Sequence, residues 1–103
     1  MKKIGFYVPK SHLEVVKNAM FAEGAGQIGR YQHCAWQVQG EGQFLPLDGA
    51  NPAIGAVNQL QKVCEYYCTM VCEDARIVCV VDAMKKAHPY EEVAYDVVSL
   101  ESI

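Results

Sequence analysis

Apolar residues change their spacing repeatedly along this chain, and each change marks an element. From Lys3 to Val8, aromatic and β-branched residues crowd a short stretch that Pro9 stops, which predicts a strand. Ser11 then stands three residues before Glu14, the spacing of a capping box, in which the serine hydroxyl accepts from a first-turn N–H and the carboxylate reaches back. Leu13, Val16, Ala19 and Met20 follow at helical spacing, with Glu14, Lys17, Asn18 and Glu23 elsewhere on the wheel. Gly24 and Gly26 end this helix, because glycine takes left-handed geometry without steric cost.

Alternation returns from His33 to Gln39 and predicts a strand with Cys34, Trp36 and Val38 on one side. Gly40-Glu41-Gly42 is expected to turn the chain, so that Gln43 to Leu47 pairs back as a hairpin. Asp48 to Gly55 has the composition of a loop. Leu60 to Glu73 fits two periods at once, since Cys64, Cys68 and Cys72 share a face on either a helix or a strand. Its density of Val, Tyr, Thr and Cys favours a strand, with Tyr66 and Met70 on the cysteine face and Val63, Tyr67, Thr69 and Val71 on the other. Asp74 is a candidate cap for a second helix whose apolar face is Ile77, Val80, Val81 and Met84. Lys85, Lys86 and His88 complement its dipole, Pro89 helps to stop it, and Val93 to Leu100 closes the chain as a strand.

The order is strand, helix, hairpin, strand, helix, strand. Each helix has one apolar stripe to bury, so both are expected on one face of an antiparallel sheet. This is an α+β, ferredoxin-like architecture with an extra hairpin strand. Its 103 residues make a single domain, and 51% hydrophobic against 20% charged residues supports a packed core. A net charge of -3, without a basic run, argues against nucleic acid and anionic membranes as partners. No apolar run approaches a membrane span, and the apolar stretch after Lys2-Lys3 is broken too early for a signal peptide, so the expected location is cytoplasmic. Five cysteines, at 34, 64, 68, 72 and 79, form no C-x-x-C pair and are expected to serve as buried apolar thiols.

Three stretches carry a resemblance. They are Val8-Pro9-Lys10-Ser11-His12, Gly24 to Trp36 continuing into Gly42 to Gly55, and His88 to Val97 (HPYEEVAYDV). In this order they resemble the domain inserted in the middle of the YqfO proteins, also called GTP cyclohydrolase I type 2 homologues. The resemblance runs over nearly the whole chain, which looks like a stand-alone copy of that insert. It implies a fold similar to CutA and PII proteins, a homo-oligomer with a trimer favoured, and small-molecule or metal pockets at subunit junctions. The two-metal site of full-length YqfO proteins lies on flanking halves that these 103 residues do not include, so it is not carried over.

His88-Pro89-Tyr90-Glu91-Glu92 is the leading chemical candidate, with an imidazole, a phenol and two carboxylates on one connection. The loop at 48–55 is a candidate anion cradle through backbone N–H groups. The expected ligand-binding residues are therefore Gly49, Asn51, Gly55, His88, Tyr90 and Glu91. His33, His88 and Glu92 are candidate ligands for a divalent metal, with His12 and Cys34 as further donors. Cys64 and Cys72 lie about 26 Å apart on a strand, too far to share a metal. Gly24 to Gly29 scans as a nucleotide fingerprint but follows a helix, the wrong context. Trp36, Phe44, Tyr31 and Tyr90 are expected in the core or at a subunit interface. No nucleophile–base pair is evident, which favours a non-enzymatic binding or regulatory module. The alternatives are a metal-dependent hydrolase built on His88, Glu91, Glu92 and His33, and an interaction subunit acting in trans.

Overall fold

A computed structural model describes residues 1–103. Strand β1 (Lys2–Pro9) leads through a 3-10 turn at Lys10–His12 into helix α1 (Leu13–Ala22). Strands β2 (Trp36–Phe44) and β3 (Gln61–Cys72) follow. A second 3-10 turn at Asp74–Arg76 opens helix α2 (Ile77–Ala87), and β4 (Tyr95–Ser99) closes the fold. The sheet order is β2-β3-β1-β4, with every neighbouring pair antiparallel. Two split β-α-β units are thus interleaved, each holding a strand of the other between its own two, as the order of elements led us to expect.

The 60–73 segment is a strand. Ile4 pairs with Met70, Phe6 with Cys68 and Val8 with Tyr66, so alternate residues of β1 and β3 share one face. Both helices cover that face. Val16 and Met20 of α1 and Val80 and Met84 of α2 are buried against it, each wholly excluded from water. Burying an apolar side chain of this size contributes roughly 1.5–3 kcal/mol, so this face supplies the core. Cys68 and Cys72 belong to it, and burial pushes the Cys68 thiol up to about 11, which suits an inert apolar side chain. Cys64 and Cys79 are exposed and Cys34 is half-buried, contrary to expectation.

Residues 36–44 are one continuous strand, and the hairpin expected at Gly40-Glu41-Gly42 does not form. Gly40 pairs with Glu65 and Gly42 with Val63 without interruption. Gly42 is there for lack of a side chain: a Cβ on it would strike the Glu65 carboxylate, which lies across it, whereas nothing crowds Gly40. The sheet therefore has four strands, with no extra one. The strand also starts at Trp36 rather than His33, because His33 adopts φ 57 and Cys34 donates back to the Gly26 carbonyl at 2.8 Å. Gly24 and Gly26 do end α1, with φ of 100 and 78. At Gly26 a Cβ would press on the Cys34 carbonyl and the Phe21 ring, both at 2.9 Å.

Neither expected helix cap forms. The chain is already wound in 3-10 turns when it reaches each helix, so Ser11 and Asp74 lie inside the turn, and no side-chain cap bond is made. Ser11 Oγ instead lies 2.8 Å from His12 Nδ1, and Glu14 pairs with Lys17 at 2.9 Å. Arg76 anchors the start of α2 to the end of α1, donating to the Glu23 carbonyl at 2.9 Å and to its carboxylate at 2.8 Å. The helices therefore run antiparallel, with the end of one beside the start of the other.

The second face of the sheet carries no helix. Tyr67 lies over Gly5, where a Cβ would collide with its phenol, and donates to Asp96 at 3.1 Å. Its ring stacks at a tilt on Tyr7, 4.7 Å between centroids. Trp36, Val38 and Val98 share this face and are exposed, Trp36 by 62%. No helix is long and apolar enough to cross a membrane.

Candidate functional site

The HPYEE corner is built by the end of α2. Pro89 disfavours helical geometry at the residue before it, and His88 is accordingly extended at φ -76 and ψ 140. That turns the imidazole inward, where it is 7% exposed. Nε2 lies 2.6 Å from the Tyr7 carbonyl, and Nδ1 lies 3.1 Å from the Tyr90 N–H. A carbonyl can only accept and a backbone N–H can only donate, so the ring is neutral with its proton on Nε2. Burial holds its pKa below the usual histidine value, against the opposing pull of the Tyr7 carbonyl and Glu65; nearby His12 adds to the lowering. Both nitrogens are thus committed to the backbone.

The next residues face outward from this anchor. Tyr90 donates its hydroxyl to Glu65 of β3 at 2.8 Å, and burial, with Glu65 second, raises its pKa. Glu91 accepts the Asn51 backbone N–H at 2.9 Å, so the corner ties down the 45–60 connection. That connection is folded on itself. Ala50 donates to the Leu47 carbonyl at 3.0 Å, Asn58 donates to the Pro46 carbonyl at 2.7 Å, and the Asn58 side chain holds Asp48 at 3.0 Å. Gly49 and Gly55 take φ of 91 and 87 and shape its turns.

Between the corner, this connection and the end of the uncovered face lies a cavity of about 630 Å³, within the size range of small-molecule sites. Residues 42–47 and 52–54 form much of its wall, with Ala50, Ala94 and residues 90–92 beside them. Tyr7, Phe44 and Tyr90 bring aromatic rings to it, and Glu65, Glu91 and Glu92 bring carboxylates. Phe44 and Tyr90 stand at 54° to one another, 6.3 Å between centroids.

The expected ligand-binding residues thus divide. Asn51, Tyr90 and Glu91 meet at the cavity or its edge, whereas His88 serves as the buried anchor behind it. Gly49 and Gly55 stay in the turns and do not line the cavity. The 48–55 loop does not offer Asn51 as an anion cradle, because Glu91 already occupies that N–H. The metal set His33, His88 and Glu92 does not assemble. His33 stacks on Phe21 at 4.6 Å and 8°, at the end of α1, while His88 follows the end of the antiparallel α2 at the opposite end of the helix layer. No three His, Cys, Asp or Glu side chains group to hold a metal ion. Of the aromatics expected in the core or an interface, Trp36 and Tyr31 are exposed, and Phe44 and Tyr90 line the cavity. Sequence reasoning missed Glu65 and Tyr7. The available signal was a lone carboxylate inside an apolar strand, at Cys64-Glu65-Tyr66.

The chain is 48% identical over 101 residues to the GTP cyclohydrolase 1 type 2 homolog of Bacillus subtilis, covering 98% of this chain and 27% of that protein. The Mycobacterium tuberculosis protein of the same name is 48% identical over 94 residues, covering 91% of the chain and 25% of its own length. This chain is a relative of one segment of those proteins. It spans about a quarter of the curated relatives it matches. The solved structure of a Bacillus cereus protein related to NIF3 superposes with a TM-score of 0.83 at 40% identity, over 98% of this chain and 26% of that one. CutA1 from Pyrococcus horikoshii matches over 100% of this chain and 86% of its own, with a TM-score of 0.71 at 13% identity, and shows the shared CutA-like fold. No family model matches the sequence.

Proposed function

We propose that this chain is a non-catalytic binding and regulatory module that assembles with copies of itself, as a trimer, and holds a small molecule beside the subunit junction. The observation that carries this is the cavity of about 630 Å³, which opens at the end of a sheet face with no helix over it. Trp36, Val38, Tyr7 and Val98 expose apolar surface on that face. Large side chains of this kind, continuous across one face, are a common mark of an association surface. The outer edges of β2 and β4 are unpaired within the chain, and assembly would protect them from uncontrolled strand pairing. The resemblance to CutA and PII proteins favours the same arrangement.

A hydrolase centred on the HPYEE corner is less well supported. Its imidazole has no free nitrogen for a proton or a metal, and its carboxylates have no histidine or cysteine grouped with them. Light scattering across a dilution series, combined with thermal shift against a panel of small molecules, tests the proposal. A stable oligomer with a saturable shift is expected. A monomer at every concentration, or no shift from any compound, would overturn it.

A further inference from the structure

The cavity has a chemical character that narrows its ligand. Every charged side chain lining it is a glutamate, and no lysine or arginine reaches it. Glu65 spends one carboxylate oxygen, Oε2, on the Tyr90 hydroxyl, and Glu91 spends Oε2 on the Asn51 N–H; the other oxygen of each has no hydrogen-bond partner in the protein. Glu92 makes no hydrogen bond or ion pair with the protein. The remaining wall is apolar or aromatic. Phe44 and Tyr90 meet at an angle like two sides of a box, and Tyr7 adds a third ring.

Rings set at an angle around carboxylates suit an organic cation. The negative face of a π-system attracts an ammonium, while carboxylate oxygens accept its N–H groups in short charge-assisted bonds. An anionic ligand would meet three carboxylates without a counter-charge, and the Asn51 N–H is already capped by Glu91. We infer that this cavity binds an organic ammonium ion with an apolar body, the charged end between the glutamates and the aromatic rings and the body along residues 45–54. The inference rests on the small-molecule part of the proposed function and supplies the chemical class of the ligand.

Three probes of similar shape and different charge test it: phenethylammonium, 2-phenylethanol and 3-phenylpropanoate. Each is titrated into the ¹⁵N-labelled 103-residue chain at fixed ionic strength and followed by amide chemical shifts. Phenethylammonium is expected to move the amides of Phe44, Ala53, Tyr90 and Glu92 and to bind about tenfold more tightly than the alcohol, with the propanoate weakest. Glu92→Gln should narrow the preference of amine over alcohol by roughly threefold, and Phe44→Leu by a similar factor. If the alcohol or the propanoate binds at these amides as tightly as the amine, the ammonium inference fails and the small-molecule function survives. If none of the three moves the cavity amides at millimolar concentration, both fail.

Discussion

The two faces of the sheet are made by the same strands and do opposite jobs. On β1, Ile4, Phe6 and Val8 are wholly buried beneath the helices, while Tyr7, one residue from two of them, stays 42% exposed on the other side. On β3, Cys68 and Met70 are buried, while Tyr67, next to Cys68, lies over Gly5 of the neighbouring strand and bonds Asp96 at the surface. The buried core under the helices is made of aliphatic, aromatic, thioether and thiol side chains that make no hydrogen bonds. The uncovered face mixes tyrosines, a tryptophan and charged groups, and ends in the cavity. One face holds the domain together; the other stays open to solvent.

The contrast can be broken from either side, starting with the face whose loss costs most. Phe6→Ala removes a wholly buried ring and should cost about 3–5 kcal/mol in urea unfolding. Tyr7→Ala, one position along, should cost much less, and an equal loss from the two would show that the faces do not differ as described. Gly5→Val puts a branched side chain where the Tyr67 phenol lies and should cost roughly 1–3 kcal/mol, partly relieved by Tyr67→Ala in the same chain. Full additivity of the two substitutions would mean that Tyr67 does not rest on Gly5.

His88 links the faces, since it is buried at the end of α2 yet bonds the backbone of Tyr7. His88→Ala leaves the Tyr7 carbonyl without its partner and should cost about 1–3 kcal/mol. Its pKa is lowered on folding, so the native state binds fewer protons than the unfolded chain. Stability from this group is complete above the unfolded value of 6.5 and is lost as pH falls below it toward the folded value. Denaturation midpoints across that acid range should decline in the natural sequence and decline less in His88→Gln. The smallest change in monomer stability is expected for Trp36→Lys, within about 0.5 kcal/mol, because the ring is 62% exposed. If the uncovered face assembles copies, light scattering of that variant should nevertheless show a smaller particle.

Periodicity made most of the fold legible. The strand at 60–73 was recoverable because β-branched and aromatic residues outweighed an ambiguous cysteine spacing, and the helices because each has one apolar stripe. The glycines of β2 misled, since Gly40-Glu41-Gly42 has turn composition. At Gly42 the reason for a missing side chain lies 23 positions away, in Glu65 lying across it; nothing in the structure requires glycine at Gly40. The capping residues misled for a local reason: Ser11 and Asp74 have the right spacing, but the 3-10 turns at Lys10–His12 and Asp74–Arg76 use up the positions they would cap.

The site was legible as a set of chemical groups and not as an arrangement. The HPYEE motif, its proline stop and the 48–55 loop stood out by composition, and the contact between Glu91 and Asn51 joins the two. Their partners, Tyr7 and Glu65, come from strands distant in the chain, and the cavity they share has no sequence signature.

The residue pattern alone was enough to set the α+β class, the placement of both helices and the single buried face, because burial follows local period. Tertiary structure alone decided that His88 faces inward with both nitrogens engaged, that His33 sits at the other end of the helix layer, and that carboxylates and rings from four segments enclose one cavity. The physical reason is range. Period and propensity act over a few residues, whereas hydrogen-bond pairing and cavity shape depend on which distant segments the packed sheet brings within a few ångströms.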